Sequence, residues 1–258
     1  MKHPLSLLLA VLIGMAMAMP AQARQNDMAQ TWEMQPRMGH TEALQTALAN
    51  HVRWRQEHED PWTWTVFEVI TGPTVGTLIA RSGQHTWADF DTYRTWEHGA
   101  AANRHYETTV APHLAAIRSA ITMGDEENIY WPEDPAEVRV LNVIGFDVRP
   151  GMMEQFVEGV GAYHKAIVEN DFPAYHYVDY NVSGDTHDAF LVIPGGSMAD
   201  FARPEKTVEQ LMVEVHGEKA FKALQKSFDA AVENAESIML VHRPDLSIVG
   251  AGAMATGN

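Results

Sequence analysis

Thirty-four acidic residues against eighteen basic ones give this 258-residue chain a net charge of −16, which does not suit nucleic acid or an anionic membrane surface, both of which reward clustered Lys and Arg. The absence of cysteine excludes disulfides, thiolate metal sites, cysteine nucleophiles and a lipid anchored at a cleavage-site cysteine. A chain of this length buries roughly 70–75% of its unfolded surface and holds together without a staple.

The first residues are expected to be a secretory signal. Lys2 and His3 form a basic start, Leu5 to Ala18 is an apolar run shorter than the roughly 20 residues of a membrane span, and Ala21-Gln22-Ala23 is a small-x-small cleavage site. Removing residues 1–23 takes one Lys and no acid, so 17 basic against 34 acidic residues leave a net charge of −17. The chain is read as periplasmic or secreted, with no membrane association after cleavage.

The mature chain reads as two halves, 24–131 and 138–246, joined by a linker at 132–137 and followed by a disordered tail at 247–258. In the first half, residues 24–32 are polar and loose, 31–37 is a short strand, and 40–58 is a helix with Leu44, Ala47, Leu48 and Val52 at helical spacing. Glu59-Asp60-Pro61 stops that helix. Aromatic and β-branched residues over 62–71 and 75–82, around Thr71-Gly72-Pro73-Thr74, predict a hairpin. Symmetric pairing about that turn sets Trp64 opposite Arg81, in position for an Arg–Trp stack. A second helical region opens at Trp87-Ala88-Asp89-Phe90, breaks near Gly99 and restarts at Pro112; residues 128–131 are the last strand.

The second half repeats this order with clearer patterning. Residues 138–149 alternate with both faces mostly apolar, and 151–170 is a helix with Phe156, Val160, Tyr163 and Ile167 on one stripe. Residues 174–182 and 188–193 form a hairpin, Ser197 is an N-cap, and 208–235 is mostly helical with a break at Gly217. Residues 237–242 are the closing strand. A shift of 112 residues superposes Arg37, Gly39, Glu42, Glu57, Pro61, Val66, Gly72 and Thr74 on Arg149, Gly151, Glu154, Glu169, Pro173, Val178, Gly184 and Thr186; after a one-residue deletion Ala88-Asp89-Phe90 falls on Ala199-Asp200-Phe201. The expected fold class is therefore α+β: two tandem ferredoxin-like β-α-β-β-α-β repeats packed sheet to sheet as an intramolecular pseudo-dimeric α/β barrel.

A strand ending in Val148-Arg149-Pro150-Gly151, with Glu154 and Phe156 on the following helix, resembles the dimeric α/β-barrel superfamily, NIPSNAP-like proteins first and antibiotic biosynthesis monooxygenases more distantly. The resemblance runs from Gln35 to about His242; the first half departs from it with Met38 for Pro150 and Leu44 for Phe156. It implies the fold and an interior cavity. Members include cofactor-independent oxygenases, isomerases, haem enzymes and proteins of unknown role, so it does not fix a function.

The candidate site is the pair of hairpins: Trp62, Trp64, Glu68 and Arg81 from the first, and Tyr175, His176, Tyr177, Asp179 and Tyr180 from the second. Aromatics with a few convergent polar groups suit a small molecule, and His176 is the candidate general base. The same aromatics also suit plain packing, and strand parity puts His176 and Tyr180 on one face with Tyr175, Tyr177 and Asp179 on the other. Ligand-binding residues are taken as Trp62, Trp64, Glu68, Arg81 and Tyr180.

No metal or cofactor is expected. A haem-binding member of the superfamily would use a helix histidine, and His98, His105, His113 and His216 lie in the helical regions without a spacing that selects one. A zinc site is weaker still, because His51 and His58 are seven apart rather than i, i+4. Arg37 and Arg149 are read as pairing with Glu42 and Glu154 at the strand-to-helix corners. Three functions follow as expectations: a barrel binding a small apolar or aromatic molecule, a cofactor-independent oxygenase or isomerase with His176 as base, or a non-catalytic interaction protein. A homodimer is compatible with each.

Overall fold

A computed structural model describes residues 28–134, 137–184 and 187–248; the expected signal peptide and the chain beyond Ile248 lie outside the described residues. The elements run β1 (Met28–Pro36), α1 (Thr41–Glu57), β2 (Thr65–Val69), β3 (Leu78–His85), α2 (Trp87–Arg94), α3 (Gly99–Thr109) and β4 (Leu114–Gly124). The same kinds follow in the same order as β5 (Val140–Val148), α4 (Met153–Glu169), β6 (Tyr177–Ser183), β7 (Ala189–Gly195), α5 (Val208–His216), α6 (Glu218–Ala231) and β8 (Val232–His242). The eight antiparallel strands close into a barrel in the order β1-β3-β2-β8-β5-β7-β6-β4, with the six helices outside. None of the described helices is long and apolar enough to cross a membrane.

Two short seams close the barrel. Strand β2 meets β8 over Phe67↔His242, Glu68↔Val241 and Val69↔Leu240, and β4 meets β6 from Ile121 to Gly124. A hairpin turn leans against the neighbouring strand at the end of each seam. The Ile70 N–H donates to the Met239 carbonyl at 2.9 Å, and Gly184, at φ +96°, sits where a Cβ would stand 2.2 Å from the Ser119 carbonyl oxygen. Gly39 and Gly151 (φ +79° and +81°), Glu59 and Asp171 (+51° and +47°), and Gly72 and Gly184 (+86° and +96°) share left-handed backbone at positions 112 apart.

Several expected boundaries move. Strand β1 starts at Met28, inside the segment read as loose, because Met28 and Ala29 are buried against its neighbours. Residues 114–124 form a long strand where helix was expected, and the closing strand expected at 237–242 begins five residues earlier, at Val232, inside the expected helix. Ala115-Ala116 of β4 and Ala235 of β8 carry helical propensity, but antiparallel pairing with β1 and β5 overrides it. Beyond β4, Tyr130 makes only an isolated bridge to His176. Residues 247–248, assigned to the tail, are packed: Ile248 and Trp64 exchange backbone hydrogen bonds of 2.7 and 2.9 Å, and the Ser247 hydroxyl accepts from the Val66 N–H at 2.9 Å. The corner arginines do not bond to Glu42 and Glu154. Each instead donates from Nε to a carbonyl where the last strand of its half begins, Arg37 to Leu114 and Arg149 to Ala230, both at 3.0 Å.

Strand alternation separates two cores. Phe67, Val69, Ile79, Leu141, Val143, Val192, Ile238 and Leu240 point into the barrel lumen. Trp32, Met34, Trp64, Val66, Leu78 and Ala80 point outward, against Leu44, Leu48 and Val52 of α1. The β2–β3 register pairs Thr65, not Trp64, with Arg81. That single-residue slip puts the two side chains on opposite faces and replaces the expected Arg–Trp stack.

Candidate functional site

The lumen holds a polar link at one level. Arg81 of β3, half-buried, pairs with Asp179 of β6 at 2.7 Å and donates to Thr122 of β4 at 3.0 Å. The Tyr177 hydroxyl donates to the same carboxylate at 3.0 Å, and its own ionisation is pushed up, first by burial and then by the Asp179 charge. Gly124 makes room for that hydroxyl, since a Cβ there would lie 1.9 Å from it.

A cavity of about 390 Å³ lies outside the barrel, between α1, α3 and the outer face of β1, β2 and β3. Its apolar wall includes Trp32, Met34, Leu48, Val66, Ala80 and Ile248. Trp32 and Trp64 stack with ring centroids 4.6 Å apart and planes 26° from parallel. Three side chains lining this cavity carry a buried polar atom with no hydrogen-bond partner: His51 Nε2, Trp64 Nε1 and the Tyr106 hydroxyl. The Trp64 N–H lies beside the Tyr93 hydroxyl without the geometry of a hydrogen bond.

The polar groups around the cavity are positioned by local structure. Helix α1 ends at Glu57, and the left-handed Glu59 turns the chain so that Asp60 faces back on Arg55, paired at 2.5 Å. Asp60 also accepts from the Trp62 N–H at 3.0 Å. Arg55 donates to the Tyr93 hydroxyl and lies over the Trp64 ring, 5.5 Å from its centroid. His51, one turn earlier, places Nδ1 at 2.9 Å from His105 Nδ1 of α3. Burial first, then the Arg55 and His105 charges, lower the His51 pKa to about 3, so its ring is neutral at physiological pH. Burial pushes the Tyr106 phenol up, which keeps it a neutral hydroxyl.

The sequence-selected residues fall in several places. Trp64 lines the cavity; Trp62 lies behind it, stacked between His85 at 3.8 Å and Tyr93 at 4.0 Å. Glu68 pairs with Arg243 at 2.5 Å and accepts from Gln45 at 3.2 Å. Arg81 belongs to the lumen, and the Tyr180 hydroxyl donates to Asp125 at 2.9 Å. His176 has both ring nitrogens engaged: Nδ1 donates to the Ala174 carbonyl at 2.8 Å, which leaves Nε2 to accept from His164 at 3.0 Å. Burial also lowers its pKa. Three of the four helix-region histidines occupy ring pairs, His105 with His51, His113 with His40 and His98 with His58, while His216 is exposed at the end of α5.

Sequence reasoning weighed His51 only as a zinc ligand and missed Arg55 and Tyr106. Their helical spacing was readable, but nothing in the pattern says that α1 and α3 leave a gap over the two tryptophans. Among the described residues no group of three or more His, Asp or Glu side chains could hold a metal ion.

No sequence family and no curated protein matches this chain. Solved structures share its fold, two of them as follows. An anthrone oxidase-like protein superposes with a TM-score of 0.53 at 10% identity, covering 91% of this chain and 98% of its own. A protein from Lactobacillus acidophilus named a putative monooxygenase also gives 0.53, at 9% identity, covering 87% of this chain and 96% of its own. These likenesses show the fold alone, an eight-stranded antiparallel barrel with helices outside.

Proposed function

We propose that this chain binds a small planar aromatic molecule carrying at least one oxygen acceptor, in the cavity between α1, α3 and the outer face of the sheet. One observation carries the reading: His51 Nε2, Trp64 Nε1 and the Tyr106 hydroxyl are buried without partners on side chains lining one aromatic-walled cavity. A buried unsatisfied group costs about 1–3 kcal/mol, and native chains rarely leave several together without a use for them. Trp64 Nε1 can only donate, so the ligand must bring an acceptor. The stacked indoles favour a flat body.

A second reading makes the chain a cofactor-independent oxygenase acting on that molecule. It is favoured by the names of the two structural neighbours, an anthrone oxidase-like protein and a putative monooxygenase. The third reading, an interaction protein, has less support because it leaves the cavity and its unpartnered groups without a role. Exported protein, tandem duplication with halves at 24–131 and 138–246, and kinship to NIPSNAP-like proteins complete the proposal. The duplication is supported by the left-handed positions 112 apart and by α1 and α4, each of 17 residues.

The test is titration with 1,4-naphthoquinone followed by tryptophan fluorescence, with oxygen uptake measured on the same samples using the corresponding hydroquinone. Quenching that is lost in Trp64→Phe and Tyr106→Phe supports binding at this cavity. Quenching unchanged in both variants contradicts it. Protein-dependent oxygen uptake favours the second reading.

A further inference from the structure

We infer that His51 and His105 form a proton relay out of the cavity, and that the ligand is one with an ionisable hydroxyl, a phenol or an enol. This rests on the cavity being the binding site. His51 is buried, its Nδ1 is 2.9 Å from His105 Nδ1, and its Nε2 has no partner. A single proton occupies an Nδ1···Nδ1 hydrogen bond, so two neutral arrangements exist. In one, His51 Nδ1–H donates to His105 Nδ1 and His51 Nε2 is a bare lone pair. In the other, His105 Nδ1–H donates to His51 Nδ1 and His51 Nε2 carries the hydrogen.

Passing from the first arrangement to the second moves a proton across the protein. The ligand hydroxyl gives its proton to His51 Nε2; the His51 Nδ1 proton passes to His105 Nδ1; His105 Nε2 releases a proton to water. No electrons are transferred, and the products are a bound oxyanion and a proton in solvent. His105 is half-buried on α3, while His51 is enclosed. The oxyanion is then left with His51 Nε2–H, Trp64 Nε1–H and the Tyr106 hydroxyl as donors, a set of preorganised dipoles at the developing charge.

The surroundings explain why two histidines are needed. Arg55 on the same helix and burial both disfavour an imidazolium at His51, so His51 cannot store the proton and must hand it on. The other titratable groups near the pair are Tyr106, held neutral by burial, and Glu107 at the exposed rim on α3. Thr109 donates its hydroxyl to the His105 carbonyl at 2.6 Å and leaves its oxygen 3.4 Å from His105 Nδ1, where it helps hold that ring in place. His51 is the group that meets the ligand; His105 is a positioning residue.

The test uses 4-nitrophenol as probe, whose phenolate absorbs in the visible and whose binding is followed separately by tryptophan quenching. The wild-type chain is expected to bind it and to lower its apparent ionisation midpoint at least tenfold in proton concentration. In His105→Gln the amide oxygen still accepts from His51 Nδ1 but cannot take up the proton, so the probe should bind with its ionisation unshifted. Binding to the wild type without a shift, or an unchanged shift in His105→Gln, overturns the relay and leaves the cavity reading intact. Failure of the probe to bind at all overturns the ligand class and the cavity reading together. The histidine-ring ¹⁵N spectrum of the ligand-free wild type needs no variant: a bare His51 Nε2 at neutral pH supports the relay, and a fully protonated Nε2 overturns it.

Discussion

Replacing Asp179 by Asn tests how the barrel closes. Asp179 stands on β6 and its partner Arg81 on β3, so their 2.7 Å pair spans the lumen between strands that are not hydrogen-bonded neighbours. Arg81 also donates to Thr31 at 3.4 Å and Thr122 at 3.0 Å, tying β1 and β4 into the same cluster. The Asp179 side chain is 5% exposed and that of Arg81 28%. Removing one partner of a buried pair costs about 3–5 kcal/mol, and the residual exposure of Arg81 places this case near 3. The seams at β2–β8 and β4–β6 have too few backbone pairs to compensate. Urea unfolding should show the loss with an unchanged slope, and thermal unfolding a drop of roughly 6–12 °C for a chain of this size. The double variant Arg81→Met with Asp179→Leu should recover most of it, since apolar replacement of both partners is often neutral or better. A loss under about 1 kcal/mol for Asp179→Asn, with no recovery in the double variant, would refute the reasoning.

Other outcomes follow from the same geometry. Stability should fall as pH drops below 6.5, before the carboxylates titrate: His51 is depressed to about 3 in the folded chain, so the unfolded chain takes up its proton first. His51 alone accounts for about 2 kcal/mol between neutral pH and pH 5, and His51→Asn should flatten that part of a urea-midpoint profile. Gly184→Ala forces a Cβ at φ +96° to within 2.2 Å of the Ser119 carbonyl and should cost more than about 2 kcal/mol, whereas Gly39→Ala, at φ +79° in open space, should cost about 1, both read from thermal unfolding. Ending the chain after Leu246 removes the Ser247 and Ile248 contacts with Val66 and Trp64 and should cost about 3 kcal/mol relative to a chain ending after Ile248, in the same assay.

The fold was legible where local chemistry and tertiary pairing agree. Gly39, Gly72, Gly151 and Gly184 marked turns that require left-handed backbone, and the apolar stripe of Leu44, Leu48 and Val52 marked the buried face of α1. It was not legible over Leu114–Gly124 and at the start of the last strand, Val232–Ala235, where the chain read as helix and only the partners β1 and β5 make it strand. The hairpin register illustrates the sensitivity of site prediction. Counting symmetrically about the Thr71–Thr74 turn missed by one residue, and with period-2 alternation that is enough to move Arg81 from beside Trp64 into the lumen. Trp64 was identified because a tryptophan in a strand-like run stands out; His51 and Tyr106 were not, because their role depends on how two helices are spaced over a sheet, which no single-element pattern contains.

The most direct measurement of the central claim is a titration of the ¹⁵N-labelled chain with 1,4-naphthoquinone, following side-chain N–H signals by NMR. Trp64 Nε1–H lines the cavity outside the barrel and Arg81 Nε–H lies within the lumen, so the two signals report on the two places a ligand can sit. Binding in the cavity predicts that the Trp64 signal moves with ligand while the Arg81 signal stays fixed. Movement of the Arg81 signal with Trp64 unchanged would place the ligand in the lumen and contradict the account.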